Sequence, residues 1–230
     1  MDFSPGSGFS IISFIAVLVA ICFSIIFGIG VASERLEFSV NKEVIRACAV
    51  LIIWLGGYSL ARVTAITSPL PLGPVFLLLA VVVPVGVSLS SYGSRLALGL
   101  SLNALVSFQV VRLPMELILH QWVLQGTVPT TVSWSGSNWD VLSGILALCV
   151  APFAKNHPWI AWLFNIFGSV MLGNFLFVLV MSTPVSFGWH VSPPMRLTYH
   201  LPYFLISPIY FGSIVACHVI LTRALLFRSK

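Results

Sequence analysis

"GFSIISFIAVLVAICFSIIFGIGVA", residues 8–32, carries no charged side chain and no proline. At a rise of about 1.5 Å per residue, such a helix outspans a bilayer core of about 30 Å. The rest of the chain matches it: 58% of the 230 residues are hydrophobic and 7% are charged. Soluble domains carry about 25% charged residues, so the composition predicts a polytopic α-helical membrane protein in one domain, residues 1–230. No basic segment precedes the first apolar run and no A-x-A site follows it, which predicts a retained first helix.

Six more apolar stretches follow, at about 44–66, 72–91, 95–125, 139–154, 158–182 and 202–227. Pro84 predicts a kink in the third. The fifth is the shortest. "SSYGSRLALGL", residues 90–100, suits either the start of the fourth span or a segment lying along the interface. The fold expectation is a seven-span helical bundle.

Its orientation comes from the basic residues. Arg35, Lys42, Arg46, Arg95, Lys155, Arg223, Arg228 and Lys230 fall on one side, with Arg62 and Arg196 opposite. The positive-inside rule then predicts an N-terminus outside and a C-terminus in the cytoplasm. The net charge of +5 is scattered over helix ends, which argues against a nucleic-acid partner. Most tryptophans fall near span ends, as interfacial aromatics do.

The polar residues inside these spans are few. "FQVVRLPMELILH", residues 108–120, sets Gln109, Arg112, Glu116 and His120 on one helical face over about 16 Å. Such a face turns to protein or to a water-filled cavity rather than to lipid. Arg112 and Glu116 are spaced to form an i,i+4 ion pair that only fixes packing. Alternatively, the stripe is a substrate or proton site. Pro114 frees the Val110 carbonyl and favours a kink or a bound polar group.

"GTVPTTVSWSGSNWDVLSG", residues 126–144, follows on the outer side. Asn138 is an N-cap candidate, and Asp140 falls in the first helical turn, where the helix dipole favours an anion. Arg62, Asn174 and the 186–203 loop, with His190, Arg196, Tyr199 and His200, gather toward the same side. His218 lies about 20 Å below the outer end of the last span, too deep to meet His120. Asn165 is nearer its depth and suits a structural hydrogen bond. The candidate catalytic residues are Glu116, His120 and Asp140. The candidate substrate-binding residues are Arg112, Gln109, Asn138, Asn174, Arg62 and His200. No metal site is assigned, because no tight ligand spacing signals one, and no cofactor is assigned.

Three stretches resemble an uncharacterised family of bacterial polytopic membrane proteins with about seven helices. They are Arg112-x-x-x-Glu116 within "FQVVRLPMELILH", "SGSNWDVLSGILA" with Asn138, Asp140 and Gly144, and "FLISPIYFGSIVACHVILTRAL" with Pro208, His218 and Arg223. Similar proteins carry an acidic residue just before the glycine of the second stretch, where this chain has Ser135. The resemblance implies the helix count, the polar site and the bacterial inner membrane as the expected location, and no activity.

The last span has no lysine, so a retinal Schiff base is excluded. HExxH, GxSxG and Walker motifs are absent. Three functions remain open. The first is an enzyme or binder acting on a membrane lipid or lipid-linked substrate from an outward-facing polar pocket. The second is a small-molecule or proton-coupled transporter. The third is a structural subunit with a lateral membrane-protein partner, docked through small residues such as Gly28–Gly30, Gly56–Gly57 and Gly168–Gly173.

Overall fold

A computed structural model describes residues 3–64 and 73–228. The described residues form helices and turns with no strand. α1 (Gly8–Arg35) starts on the side chain of Ser7, which caps the Ser10 amide. α2 (Val40–Thr64), α3 (Gly73–Leu89) and α4 (Ser91–Gly99) follow. α5 (Leu102–Phe108), a 3-10 turn (Gln109–Val111) and α6 (Arg112–Leu124) make one continuous rod. α7 (Val141–Val150), α8 (Pro158–Met181) and α9 (Gly212–Arg228) complete the order, with a π-helical turn at Ile206–Phe211 before α9.

Five of these stretches are long and apolar enough to cross a membrane: α1, α2, Leu102–Leu124, α8 and Tyr203–Arg228. α3 and α4 make a sixth only as a pair bent by 72°. Residues 90–100 are therefore a separate helix, and the fourth apolar rod begins at Leu102 rather than at 95. The predicted end of the second span at 66, with Pro69 and Pro71, lies outside the described residues. The predicted fifth span, 139–154, holds only the 10-residue α7, about 15 Å long.

The prolines explain three irregularities. Pro114 sits in the first turn of α6, where its missing N–H is least needed, and the tighter 3-10 turn precedes it. Pro208 lies within the π-helical turn, which absorbs its missing donor. Pro84 stays inside α3 without ending it. The sharp bend falls five residues later, where Arg223 of α9 binds the Ser88 and Ser90 carbonyls and the Ser94 hydroxyl. The Ser88 carbonyl lies in the last turn of α3, where helical partners run out, and the guanidinium binds it together with the Ser90 carbonyl that opens α4 on the Ser94 amide.

Burial is inverted relative to a soluble protein. Ile53 is 74% exposed and Leu124 69%, while Arg112, Glu116 and Asp140 are fully enclosed. An apolar exterior around a polar centre is what a lipid solvent selects. Trp122 departs from the interfacial pattern: it is fully buried, and its Nε1–H donates to Ser10 Oγ at 3.0 Å. Arg35 and Arg228 bind the Gly99 and Leu100 carbonyls, so the basic residues gather at one end of the bundle. At the other end, Gly6 and Ser7 meet Tyr203 and Gln125. A lateral groove of about 980 Å³ opens between α1, α2, α3 and α9, with Arg46 and Tyr92 toward its basic end.

Candidate functional site

The stripe on the α5–α6 rod faces inward, but its members do not pair as their spacing suggested. Arg112 does not pair with Glu116. Its Nη1 donates to Asp140 Oδ1 and to the Gly168 carbonyl at 3.3 Å. Its Nε donates to Gln109 Oε1 at 3.2 Å, and its Nη2 lies 2.7 Å from His218 Nε2. The guanidinium is thus held by residues from the rod, the start of α7, α8 and α9.

These bonds fix the tautomer of His218. A guanidinium only donates, so His218 Nε2 accepts. The proton is then on Nδ1, which faces Asn165 Oδ1 at 2.7 Å. Asn165 Nδ2 donates to Thr222 Oγ1 at 2.7 Å, and the Thr222 hydroxyl donates to the His218 carbonyl at 2.9 Å. Each donor in this series meets an acceptor. The structural bond expected of Asn165 is therefore present, and its partner is His218.

Glu116 has a different set of neighbours. Asn138 Nδ2 donates to Glu116 Oε1 at 2.8 Å and to the Val132 carbonyl at 3.0 Å. Asn138 Oδ1 accepts from the Asp140 amide at 3.0 Å. Asn138 was expected to cap α7, but the helix begins at Val141 and Asp140 holds the capping position. The Asp140 carboxylate makes no capping bond, because it is turned to Arg112. Glu116 Oε2, Asp140 Oδ2, Ser143 Oγ and the Tyr210 hydroxyl are all buried without a hydrogen-bond partner. Ser143 and Tyr210 adjoin the Asp140 carboxylate without closing a bond to it.

Two glycines let the helices come this close. A Cβ at Gly144 would lie 2.8 Å from Leu113 Cγ, so α7 can approach the rod only through a glycine. A Cβ at Gly168 would lie 2.7 Å from His218 Cε1.

The remaining sequence candidates are spread over one end of the bundle. His120 is half-buried, with Nδ1 3.1 Å from Ser133 Oγ and its ring stacked on Trp134 at 4.3 Å. The Ser133 carbonyl accepts from the Asn138 amide at 3.3 Å, so His120 connects to the buried cluster through this loop. Asn174 donates to the Ser137 carbonyl at 2.9 Å. Arg62 is buried beside Tyr199 and Phe76, and His200 stacks on Phe3 at 3.9 Å. Burial, then the nearby Arg196 and Arg62, lowers the His200 pKa from its usual range.

No family model, curated protein or solved structure matches this chain. The site is therefore read from its own chemistry. Polar contacts lead from half-exposed His120 through Ser133 to Asn138, which binds Glu116 and the backbone amide of Asp140; the Asp140 carboxylate then joins Arg112, His218, Asn165 and partly exposed Thr222. Sequence reasoning placed His218 and Asn165 at similar depth but sought no partner for them in Arg112. Equal depth of Arg112 and His218 was the available signal. Ser143 and Tyr210 were missed because a hydroxyl in an apolar run gives no periodic signal.

Proposed function

We propose that this chain is a small proton-coupled membrane carrier in which Glu116 and Asp140 exchange protons around Arg112. The observation that carries this reading is the buried polar cluster at the centre of the bundle, where two fully enclosed carboxylates, each with an unpartnered oxygen, accompany one guanidinium. One cation against two carboxylates leaves an excess negative charge, and exchange of a single proton removes it. Ionisable groups at such depth mark ion or proton pathways by default.

The same reading takes the chain to cross the bacterial inner membrane seven times, with its N-terminus outside and its C-terminus cytoplasmic. The irregular 127–140 segment and α7 together make the fifth crossing. Support comes from the antiparallel order of contacts along the rod: Asn138 beside Glu116, Asp140 beside Arg112, and Lys155 beside Asn103. Thr127, Val132 and Ser133 are buried, which suits irregular backbone enclosed by protein at membrane depth.

The test is reconstitution in proteoliposomes, with currents recorded on pH steps across a panel of organic anions, amino acids and cations. Glu116→Gln and Asp140→Asn should each abolish the current while the protein stays folded. Wild-type currents in both variants would overturn the assignment.

A second reading keeps an enzyme or binder acting on a lipid-linked substrate. It is favoured by His120, a half-exposed imidazole one layer above the Asn138–Glu116 pair, which suits acid–base chemistry at the membrane surface. Under this reading, Glu116→Gln and His120→Gln lose turnover and pH-step currents are absent from the wild type.

A further inference from the structure

Arg62 ends α2 far from the Arg112 network in sequence and makes no bond to it. Its side chain is 1% exposed. Nε donates to the Thr198 carbonyl at 2.6 Å, and the guanidinium carbon lies 4.8 Å from the Tyr199 ring centre and 5.2 Å from that of Phe76. Aromatic faces attract a cation but do not neutralise it. Nη2 has no hydrogen-bond partner, and neither does the buried Thr198 hydroxyl beside it. Among the described residues no carboxylate forms an ion pair with Arg62. Residues 65–72, which follow α2, contain no Asp or Glu.

A buried charge lacking a counter-ion is strongly destabilising, and the neighbouring donors sharpen the mismatch. Nη2 and the Thr198 hydroxyl both have hydrogens to give. The His200 imidazole lies two residues after Thr198 and feels the positive charge of both Arg196 and Arg62. Among the described residues this corner holds no oxyanion.

We propose that Arg62 and Thr198 form a binding site for a phosphate group at this end of the bundle. The planar guanidinium offers its free Nη2 to one phosphate oxygen and the Thr198 hydroxyl donates to another. Tyr199 is half-exposed and its ring packs on the Arg62 guanidinium, so a phosphate that reaches Nη2 from the surface displaces this ring. The site stands apart from the proton-exchanging centre and does not depend on it. Its phosphate comes either from a phospholipid headgroup or from a free ion, since helix ends lie at headgroup level.

The experiment measures thermal unfolding of the full-length, delipidated protein in neutral detergent. One arm adds inorganic phosphate. A second adds phosphatidylglycerol, and a third adds a phosphate-free galactolipid. Wild type should be stabilised by phosphate or by phosphatidylglycerol, and not by the galactolipid. A response to phosphate identifies a free-ion site, and a response to phosphatidylglycerol alone identifies a headgroup site. Arg62→Met should abolish the effect. Thr198→Val, which keeps the arginine and the local packing, should weaken binding about tenfold. Equal stabilisation of wild type and Thr198→Val, or none of the wild type, overturns the proposal. So does an Asp2→Asn variant that destabilises the protein as much as Arg62→Met does. That result would identify the chain's own Asp2 as the counter-ion.

Discussion

Arg112 Nη2 and His218 Nε2 lie 2.7 Å apart, although 106 residues separate them in the chain. Two groups that both carry positive charge when protonated share a hydrogen bond because one of them is neutral. The bond therefore specifies a protonation state as well as a contact. His218 should show a proton on Nδ1 and a bare Nε2 in nitrogen NMR of the protein in lipid. Asn165→Ala, which removes the acceptor of the Nδ1 proton, should change the ratio of the two tautomers. A spectrum in which both nitrogens are protonated near neutral pH would contradict the network.

The Arg112–Asp140 ion pair is fully enclosed, so truncating one partner strands the other. Asp140→Leu and Arg112→Met should each lose about 3–5 kcal/mol of stability. The double variant should recover much of this, because no unpaired charge then remains. A double-mutant cycle by denaturant unfolding in mixed micelles checks the coupling. Additive losses would mean that the two residues do not act as a pair.

Gly168→Ala puts a methyl group 2.7 Å from the His218 ring. The ring must tilt away from Arg112, with an expected loss of about 1–3 kcal/mol. Gly173→Ala, on the same helix, meets nothing within 4 Å and should stabilise by about 0.5–1 kcal/mol, the helix-propensity gain alone. The pair of variants separates packing on His218 from a general effect of alanine in α8.

His200 supplies a pH signature. Burial, followed by the Arg196 and Arg62 charges, lowers its pKa on folding. The unfolded chain then binds the proton more readily, so stability rises with pH through the window below the unfolded value of about 6.5. The contribution is complete above that value and fades on acidification. The melting temperature of wild type should fall between about pH 7 and pH 5. His200→Phe keeps the stack on Phe3 and should flatten this dependence.

Much of the architecture is legible in the chain because lipid imposes a simple code. Apolar runs of crossing length marked α1, α2, α8 and Tyr203–Arg228 within a few residues. The helical period placed Gln109, Arg112 and Glu116 on an inward face, and all three are fully buried. Their partners were not legible. The i,i+4 spacing favoured Arg112–Glu116, yet Asp140 and Asn138 arrive from an irregular segment whose path no periodicity describes. Asn138 has the residue type of an N-cap, and its Oδ1 does accept a local bond from the Asp140 amide, but α7 starts only at Val141 and the Asn138 Nδ2 is spent on Glu116 and the Val132 carbonyl. The local bond and the tertiary ones use different atoms of the same side chain, and only the local one could be read from residue type. The bend at residue 90 was foreshadowed by Ser90 and Gly93, and Arg223 of α9 stabilises it from a distant part of the chain.

The shortness of α7 bears on how the protein is made. A 10-residue helix is not recognised as a span by machinery that scores about 20 residues at a time. Its buried loop also needs the α5–α6 rod already in place to receive Asn138 and Asp140. On the seven-span reading proposed above, membrane integration of this region is late and dependent on earlier helices. A reporter fused just after residue 155 should distribute between the two sides of the membrane, whereas one fused after residue 228 should report a single side. Asp140→Ala should worsen the first distribution by removing the contact that holds the segment in.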